Sequence, residues 1–407
     1  MQFSCEGCKA LLGPEKADHR IISNETALTH QRADFRVLPL LLIGFATYQL
    51  DRTNISSALT GGLESAILVN QNTINLGNQL MYIGVIVLEI PSNIVLHRNQ
   101  IGPRWWIGGQ VFIFGVIAAL QVFIRDKTGF LLTRAILGLA EAGYIPGAMY
   151  TLSTWYTREE ITRRIAIFFF GMFGGTAISP LLGAGLLRLD GKCGMSGWQW
   201  IFLVEGVWSI TISLMLLFLL PERKVYQLIE TNGEIESIKT PGKRIRLDLV
   251  WKTLTNVYKW PHFLATACVF STWCPLTTYT PTIIMSLGFT RVQANALAAI
   301  GYLLTLPVVL FFAWLSDKTK KRGLTVGIAI SVYLISLIAL RTTQDHVGRW
   351  SKFGLWTTAN GLAVGYHPIH NAWIQMNSRS PEERSIGVAR HDSYERIDGW
   401  YTDLSGG

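Results

Sequence analysis

The sequence predicts an all-α polytopic membrane protein, and three observations carry that prediction. Of the 407 residues, 49% are hydrophobic and 15% are charged, whereas soluble chains carry roughly 25% charged residues. The apolar residues gather in runs close to the ~20 residues a helix needs to cross a bilayer. Lys and Arg, finally, are divided unevenly between alternate connections, as they are in membrane proteins with a fixed orientation.

The chain begins with 35 polar residues that lack the apolar core of a signal peptide and read as a disordered cytosolic tail, 1–35. Its "CEGC" pair, Cys5 and Cys8, has no second pair to complete a zinc site. Ten spans follow, near 37–57, 74–96, 105–124, 129–152, 161–187, 200–220, 261–285, 292–316, 324–340 and 352–374. We number them 1 to 10. Gly and Pro inside several are tolerable because neighbouring helices satisfy the freed backbone groups. Span 1 carries Asp51, Arg52 and Asn54 near its end, span 2 holds Glu89, Pro91 and Asn93, and span 4 holds Arg134 and Glu141. Trp198 and Trp200 before span 6 read as an interfacial belt, with Glu205 one turn inside. Residues 36–220 thus form an N-terminal six-helix bundle, and the polar stretch 221–260 a cytosolic inter-bundle loop. Residues 261–389 supply four further helices of a partial C-terminal bundle, and 390–407 a polar tail.

With the N-terminus inside, 25 Lys and Arg fall in the tail, the even-to-odd connections and the segment up to Arg390, against 8 in the outward connections. The net charge of +9 is therefore a topology signal and not a nucleic-acid footprint. Both termini are expected in the cytosol.

The charges inside the spans point to function. A charged side chain at the bilayer centre costs about 2.5–3.5 kcal/mol on insertion scales, so such residues default to a working role. Arg134, Gly138 and Glu141 sit at about 0°, 40° and −20° around span 4, one polar stripe with a glycine between. Asp51, Arg52 and Asn54 make a second cluster in span 1. The planar fork of an arginine suits a substrate carboxylate. A carboxylate held out of water takes up and releases a proton near neutral pH. Together they describe a carrier in which a proton offsets the charge of an organic anion.

Other positions carry less. His367, His370 and Asn371 in span 10, with Thr277 and Tyr279 in span 7, are candidates for hydrogen bonding in the second half. Two histidines three residues apart are too few for a metal site. The chain has no nucleophile elbow, no phosphate-cradling loop and no H-E-x-x-H. No enzyme and no cofactor is implied. A secondary carrier driven by an ion gradient fits, with its site near the midplane between two repeat-related halves.

Seven stretches in order carry a family resemblance: "LDRTNI", "EIPSN", "GPRWW", "RAILGLAEAGYIPG", "GWQWIFLVEG", "TPTIIMSLGF" and "NSRSPEERS". From about Phe35 to Ala389 the chain resembles the fungal allantoate permease family, anion:cation symporters of the major facilitator superfamily. The resemblance implies the major facilitator fold, here with a complete first bundle and an incomplete second one. It also implies a small carboxylate substrate such as allantoate, nicotinate or pantothenate, protons as the coupling ion, a lipid surround, a plasma-membrane location and a monomer. By position, Arg52 resembles the arginine that meets the substrate carboxylate; Asn54, Tyr279, His367 and Asn371 are further candidate substrate contacts on their residue types alone, with interhelical hydrogen bonding as the alternative. Asp51 and Glu141 resemble the protonation sites, and Arg134 the arginine that tunes a neighbouring acid. "SDKTKKRG", with Asp317, Lys318, Lys321 and Arg322, resembles the cytosolic gating loop between helices 8 and 9. There an Asp at a helix N-terminus would bias the alternating states. "HRNQIGPR" between spans 2 and 3 lacks the corresponding acid.

Family members have twelve helices. Arg390–Gly407 is polar, carries seven ionisable residues counting His391, and cannot span a membrane. A chain truncated after helix 10 is therefore the expectation, and a non-transporting remnant or a substrate-sensing membrane protein is the alternative to a working symporter.

Overall fold

The computed structural model describes residues 14–97, 102–156, 161–221, 226–231, 234–239, 260–370 and 373. Within these the chain is helical, apart from one antiparallel hairpin of β1 (Tyr226–Thr231) and β2 (Glu234–Lys239) in the inter-bundle stretch. Among the described residues, helix lies over each of the ten expected spans. Span 1 is a single helix, Pro14–Thr60, and begins inside the segment expected to be a disordered tail. Spans 2, 3, 5 and 6 are Gln71–His97, Pro103–Leu120, Ile161–Leu186 and Gly197–Leu219. Spans 7, 8 and 9 are Trp260–Ser286, Arg291–Thr319 and Arg322–Thr343. Five of the described helices are long and apolar enough to cross a membrane by length and composition.

Local chemistry sets the helix starts. The side chain of Asp126 accepts from the Gly129 N–H at 2.7 Å and caps span 4. Ser196 with Gln199 and Thr290 with Gln293 form capping boxes at spans 6 and 8. Gly102 precedes Pro103, whose missing N–H costs nothing in a first turn.

Two spans read as continuous are broken. Span 4 is two helices, Lys127–Glu141 and Tyr144–Trp155. Span 10 is a helix over Arg349–Leu362, a turn over 363–366 and a further helical turn over 367–370. Each break lies just upstream of a proline, Pro146 or Pro368. A proline ring clashes with the carbonyl four residues earlier, here Ala142 or Val364, and the backbone unwinds there. Proline does not always win. Spans 5, 7 and 8 keep Pro180, Pro275, Pro281 and Pro307 inside unbroken helices.

The first six spans pack through small residues. A Cβ on Gly171 would stand 2.5 Å from the Leu42 carbonyl oxygen, and one on Gly175 2.4 Å from that of Ala46, so spans 1 and 5 touch backbone to backbone. This is the close approach that small residues four apart allow where lipid gives helices no hydrophobic drive to associate. Phe45, Tyr48, Phe114, Tyr144 and Phe168 fill the centre of this half. In the second half Val269, Phe312, Val326, Tyr333 and Tyr366 do the same. Large apolar side chains such as Phe218 (73% exposed) and Ile335 (63% exposed) cover the outside, as a lipid-facing girdle requires.

The halves meet through polar contacts near the ends joined by the odd-to-even connections. Arg291 pairs with Asp190 at 2.7 Å, and Asn295 donates to Thr60 Oγ1 at 2.7 Å. Tyr279 Oη donates to Asn75 Oδ1 at 2.6 Å, and Asn78 to Thr278 Oγ1 at 3.3 Å. Deeper in, Cys274 reaches Tyr82 Oη at 3.7 Å and Phe169 faces His367 edge-on. The exposed Arg291–Asp190 pair is worth at most about 1 kcal/mol, whereas the buried Asn295 amide serves Thr60 in a dry interface. Asn295→Ala is therefore expected to cost about 1–3 kcal/mol and Arg291→Ala less than about 1. The thermal unfolding midpoints of the two purified variants check that order.

Candidate functional site

The site grows from one turn of span 1. Asp51 and Arg52 are successive helical residues, so their side chains diverge by about 100° and serve different neighbours. Arg52 turns toward span 4. Its Nε donates to Glu141 Oε2 at 2.7 Å, and its guanidinium lies over the Tyr48 ring at 4.5 Å and the Tyr82 ring at 5.4 Å. Tyr48 is one turn before Arg52 and is held by stacking on Tyr144, whose hydroxyl donates to the Leu41 carbonyl at 2.8 Å. Asp51 turns instead toward span 6, where Ser209 Oγ donates to its Oδ2 at 2.7 Å.

Burial divides these groups sharply. Asp51 and Arg134 are 0% exposed, and Glu141 and Glu205 are 1% exposed. The Arg52 side chain keeps 16% of its surface. Of the five, it is the charged group that a molecule from outside can reach. Arg52 Nη2 and Glu141 Oε1 make no hydrogen bond among the described residues. The ion pair is thus single-pronged, and the second arm of the guanidinium fork is buried without a hydrogen bond of its own among the described residues.

Glu141 is the last residue of its helix, immediately before the break at Ala142–Gly143. Arg134 and Glu141 share a face of span 4 but stand two turns, roughly 10 Å, apart along it. Of the two acids and two bases in spans 1 and 4, Arg52 and Glu141 are the two that pair among the described residues. The Arg134 guanidinium instead points Nη1 at Met81 Sδ, 3.9 Å away, beside the Phe130 ring. Gly138 in the same stripe admits a backbone and not a ligand, since a Cβ there would stand 2.0 Å from the Met81 carbonyl oxygen. Gly138→Val should therefore push spans 2 and 4 apart and destabilise the fold by about 1–3 kcal/mol, a range typical of overpacking. Its folded yield in gel filtration tests this.

The remaining candidates scatter. Asn54 is buried beside Glu205 of span 6. Tyr279 binds Asn75 and the Gln71 carbonyl at the junction of the halves, and no described contact joins it to Arg52. His367 is buried against Phe169 and Tyr366, and Asn371 lies outside the described residues. Asp317, Lys318 and Lys321 are exposed, and Arg322 is half-buried. Asp317 belongs to the last turn of span 8, and Lys321, not an acid, occupies the position that caps span 9. The expected capping by Asp317 is thus not made in this state of the molecule. Lys318 lies 4.9 Å from the centre of the Trp314 ring. "CEGC" falls outside the described residues, and these contain no group of three or more His, Cys, Asp or Glu placed to hold a metal.

Sequence reasoning missed Tyr48, Tyr82 and Ser209. Tyr48 was detectable as the residue four before Arg52 on the same helix face. Tyr82 and Ser209 become partners only through contacts between spans, for which a single sequence holds no signal.

The description Major Facilitator Superfamily belongs to the family model that matches residues 41–389. The MFS-type transporter cnsO of Penicillium expansum is 29% identical over 377 residues, which cover 88% of this chain and 72% of that protein. A protein of Agrobacterium vitis named as a candidate tartrate transporter is 26% identical over 74% of this chain and 68% of its own. Among solved structures, an inward-facing, unoccupied bacterial homologue of the human lysosomal transporter Spinster superposes with a TM-score of 0.67. It has 18% identity over 87% of this chain and 78% of that one, a likeness of fold alone.

Proposed function

The chain belongs to the Major Facilitator Superfamily, and from that premise we propose that it is a proton-coupled symporter of a small organic carboxylate, of the allantoate permease type. It is a membrane transporter and not an enzyme. The observation that carries the finer reading is the single-pronged Arg52–Glu141 pair at the one partly open charge of the site.

The pair works by exchange. An arriving carboxylate takes both prongs of the Arg52 fork, and two parallel charge-assisted bonds outcompete the single one to Glu141. Glu141, released at the carboxyl end of its helix, then has no cation in contact and takes a proton from water. Substrate and proton are thus loaded together, and the site gains no net charge. Release reverses both steps: the carboxylate leaves, Glu141 returns its proton and re-pairs with Arg52. Tyr48 and Tyr82 hold the guanidinium between their rings throughout, through contacts that persist whichever carboxylate is bound.

In this reading Asp51 is the second acid and Arg134 a fixed positive charge that acts on Glu141 without touching it. Asn54 and His367, both buried, are further candidate substrate contacts, and Tyr279 joins the halves through Asn75. Asn371 remains a candidate substrate contact, and the Asp317–Arg322 turn a gate by resemblance. The bias of Lys and Arg supports cytosolic termini. The plasma membrane and a monomeric state follow the family pattern. The tartrate in the name of the Agrobacterium relative is itself a carboxylate and supports the substrate class.

Uptake of a panel of labelled mono- and dicarboxylates into proteoliposomes tests the proposal. Accumulation of at least one of them is expected with an inward proton gradient and not without it. Accumulation indifferent to the gradient would reject proton coupling.

A further inference from the structure

One buried acid has no part in the exchange just described. Glu205 of span 6 is 1% exposed, and neither of its carboxyl oxygens has a hydrogen-bond partner among the described residues. It stands one turn before Ser209, whose hydroxyl lies 2.7 Å from Asp51 Oδ2 and 3.0 Å from the Glu205 backbone oxygen. Asn54 of span 1 faces the Glu205 carboxyl, yet neither atom of its amide makes a hydrogen bond of ordinary length and angle.

We propose that Asp51 and Glu205 form a second proton-binding site, apart from the Arg52–Glu141 pair, in which the two carboxyls share one proton that rests on Glu205. Charge counting supplies the first argument. Three fully buried carboxyls, Asp51, Glu141 and Glu205, face two guanidiniums, those of Arg52 and Arg134. One proton makes this set neutral, and an unbalanced charge in the bilayer interior is costly. Hydrogen bonding decides where the proton rests. Asp51 has a donor in Ser209 and carries the negative charge, whereas an ionised Glu205 would have none at its oxygens.

As a neutral acid, Glu205 has acceptors within its cluster, for Asn54 Oδ1 and Asp51 Oδ1 are both buried without a hydrogen bond. The neighbouring charges lie on spans 1, 2 and 4, with the half-buried Glu89 of span 2 acting on Tyr48 and not on this pair. Span 3 meets span 6 through Gly115 against Ser209 and Ala119 against Gly206. From span 1 come Asp51 and Asn54, and from span 4 Arg134 and Glu141 act on Asp51. Transfer is balanced: the proton passes from Glu205 to Asp51 Oδ1, Asp51 becomes neutral, and the Glu205 carboxylate then accepts from Asn54 Nδ2. The site deepens the coupling reading and rests on it only for its use in transport.

Infrared difference spectroscopy of the whole protein in lipid, with no substrate added, tests the site. A deuterium-sensitive carboxylic-acid C=O band is expected at neutral pH in the wild type. It should be absent in Glu205→Gln and retained in the double variant Arg52→Ala with Glu141→Gln, which removes one acid and one base and so leaves the need for one proton unchanged. A wild type without the band, or a band that survives in Glu205→Gln, overturns the proposal. Should Glu205→Gln fail to fold, Ser209→Ala serves, because it removes the donor that keeps the charge on Asp51. The band is then expected to vanish at a different pH from the wild type, and an unchanged titration overturns the site. Because no flux is measured, a failure of proton-coupled uptake would leave this result standing, and the converse holds equally.

Discussion

Arg52→Ala is expected to lower carboxylate uptake by roughly 10²- to 10³-fold. The substitution removes two charge-assisted hydrogen bonds of about 1.5–3 kcal/mol each, partly offset because the substrate carboxylate can be rehydrated. Arg52→Lys should recover only a fraction, since an ammonium offers a point charge and not a fork. Removing Arg52 also strands Glu141 in the interior, so poor expression of the single variant would not by itself mark a binding residue. The double variant Arg52→Ala with Glu141→Gln removes that unpaired charge. It should restore folding, as judged by gel filtration, and leave uptake abolished. Recovery of uptake in the double variant would show that Arg52 balances charge and does not bind substrate.

Glu141→Gln is expected to separate binding from coupling. A glutamine still fits beside Arg52 but cannot alternate between a charge and a proton. Exchange of labelled for unlabelled carboxylate across the membrane should survive, because Arg52 keeps both prongs of its fork for the substrate. Accumulation driven by an acid exterior should disappear. The sign follows from the exchange: acidifying the loading side protonates Glu141, releases Arg52 and raises uptake in the wild type, while the variant shows a flat pH profile. A variant that still concentrates substrate against its gradient in response to pH would move the coupling role to another acid.

The spans were legible because a bilayer forces ~20 apolar residues into each helix, a signal that survives in a single sequence. The acids and bases of spans 1 and 4 were legible for the opposite reason, as costly exceptions inside those runs. What the chain alone conceals is the partner choice between spans. The sequence places Asp51 next to Arg52, but a helix sends consecutive side chains 100° apart, and only the packed bundle sends one to Ser209 and the other to Glu141. Arg134 and Glu141 share a face that the sequence shows, and two turns of rise keep them out of contact. The breaks in spans 4 and 10 were readable in principle from Pro146 and Pro368. Yet Pro180, Pro275, Pro281 and Pro307 sit in helices that stay whole, so a proline marks where a break is possible and the neighbours decide.

The central claim is that one carboxylate displaces Glu141 from Arg52 and brings one proton with it. Simultaneous measurement of labelled carboxylate and of a pH-sensitive dye trapped in proteoliposomes tests this most directly. The lumen is expected to acidify as carboxylate enters, in fixed proportion to it, and Arg52→Ala to abolish both signals together. Carboxylate entry with no movement of protons would contradict it.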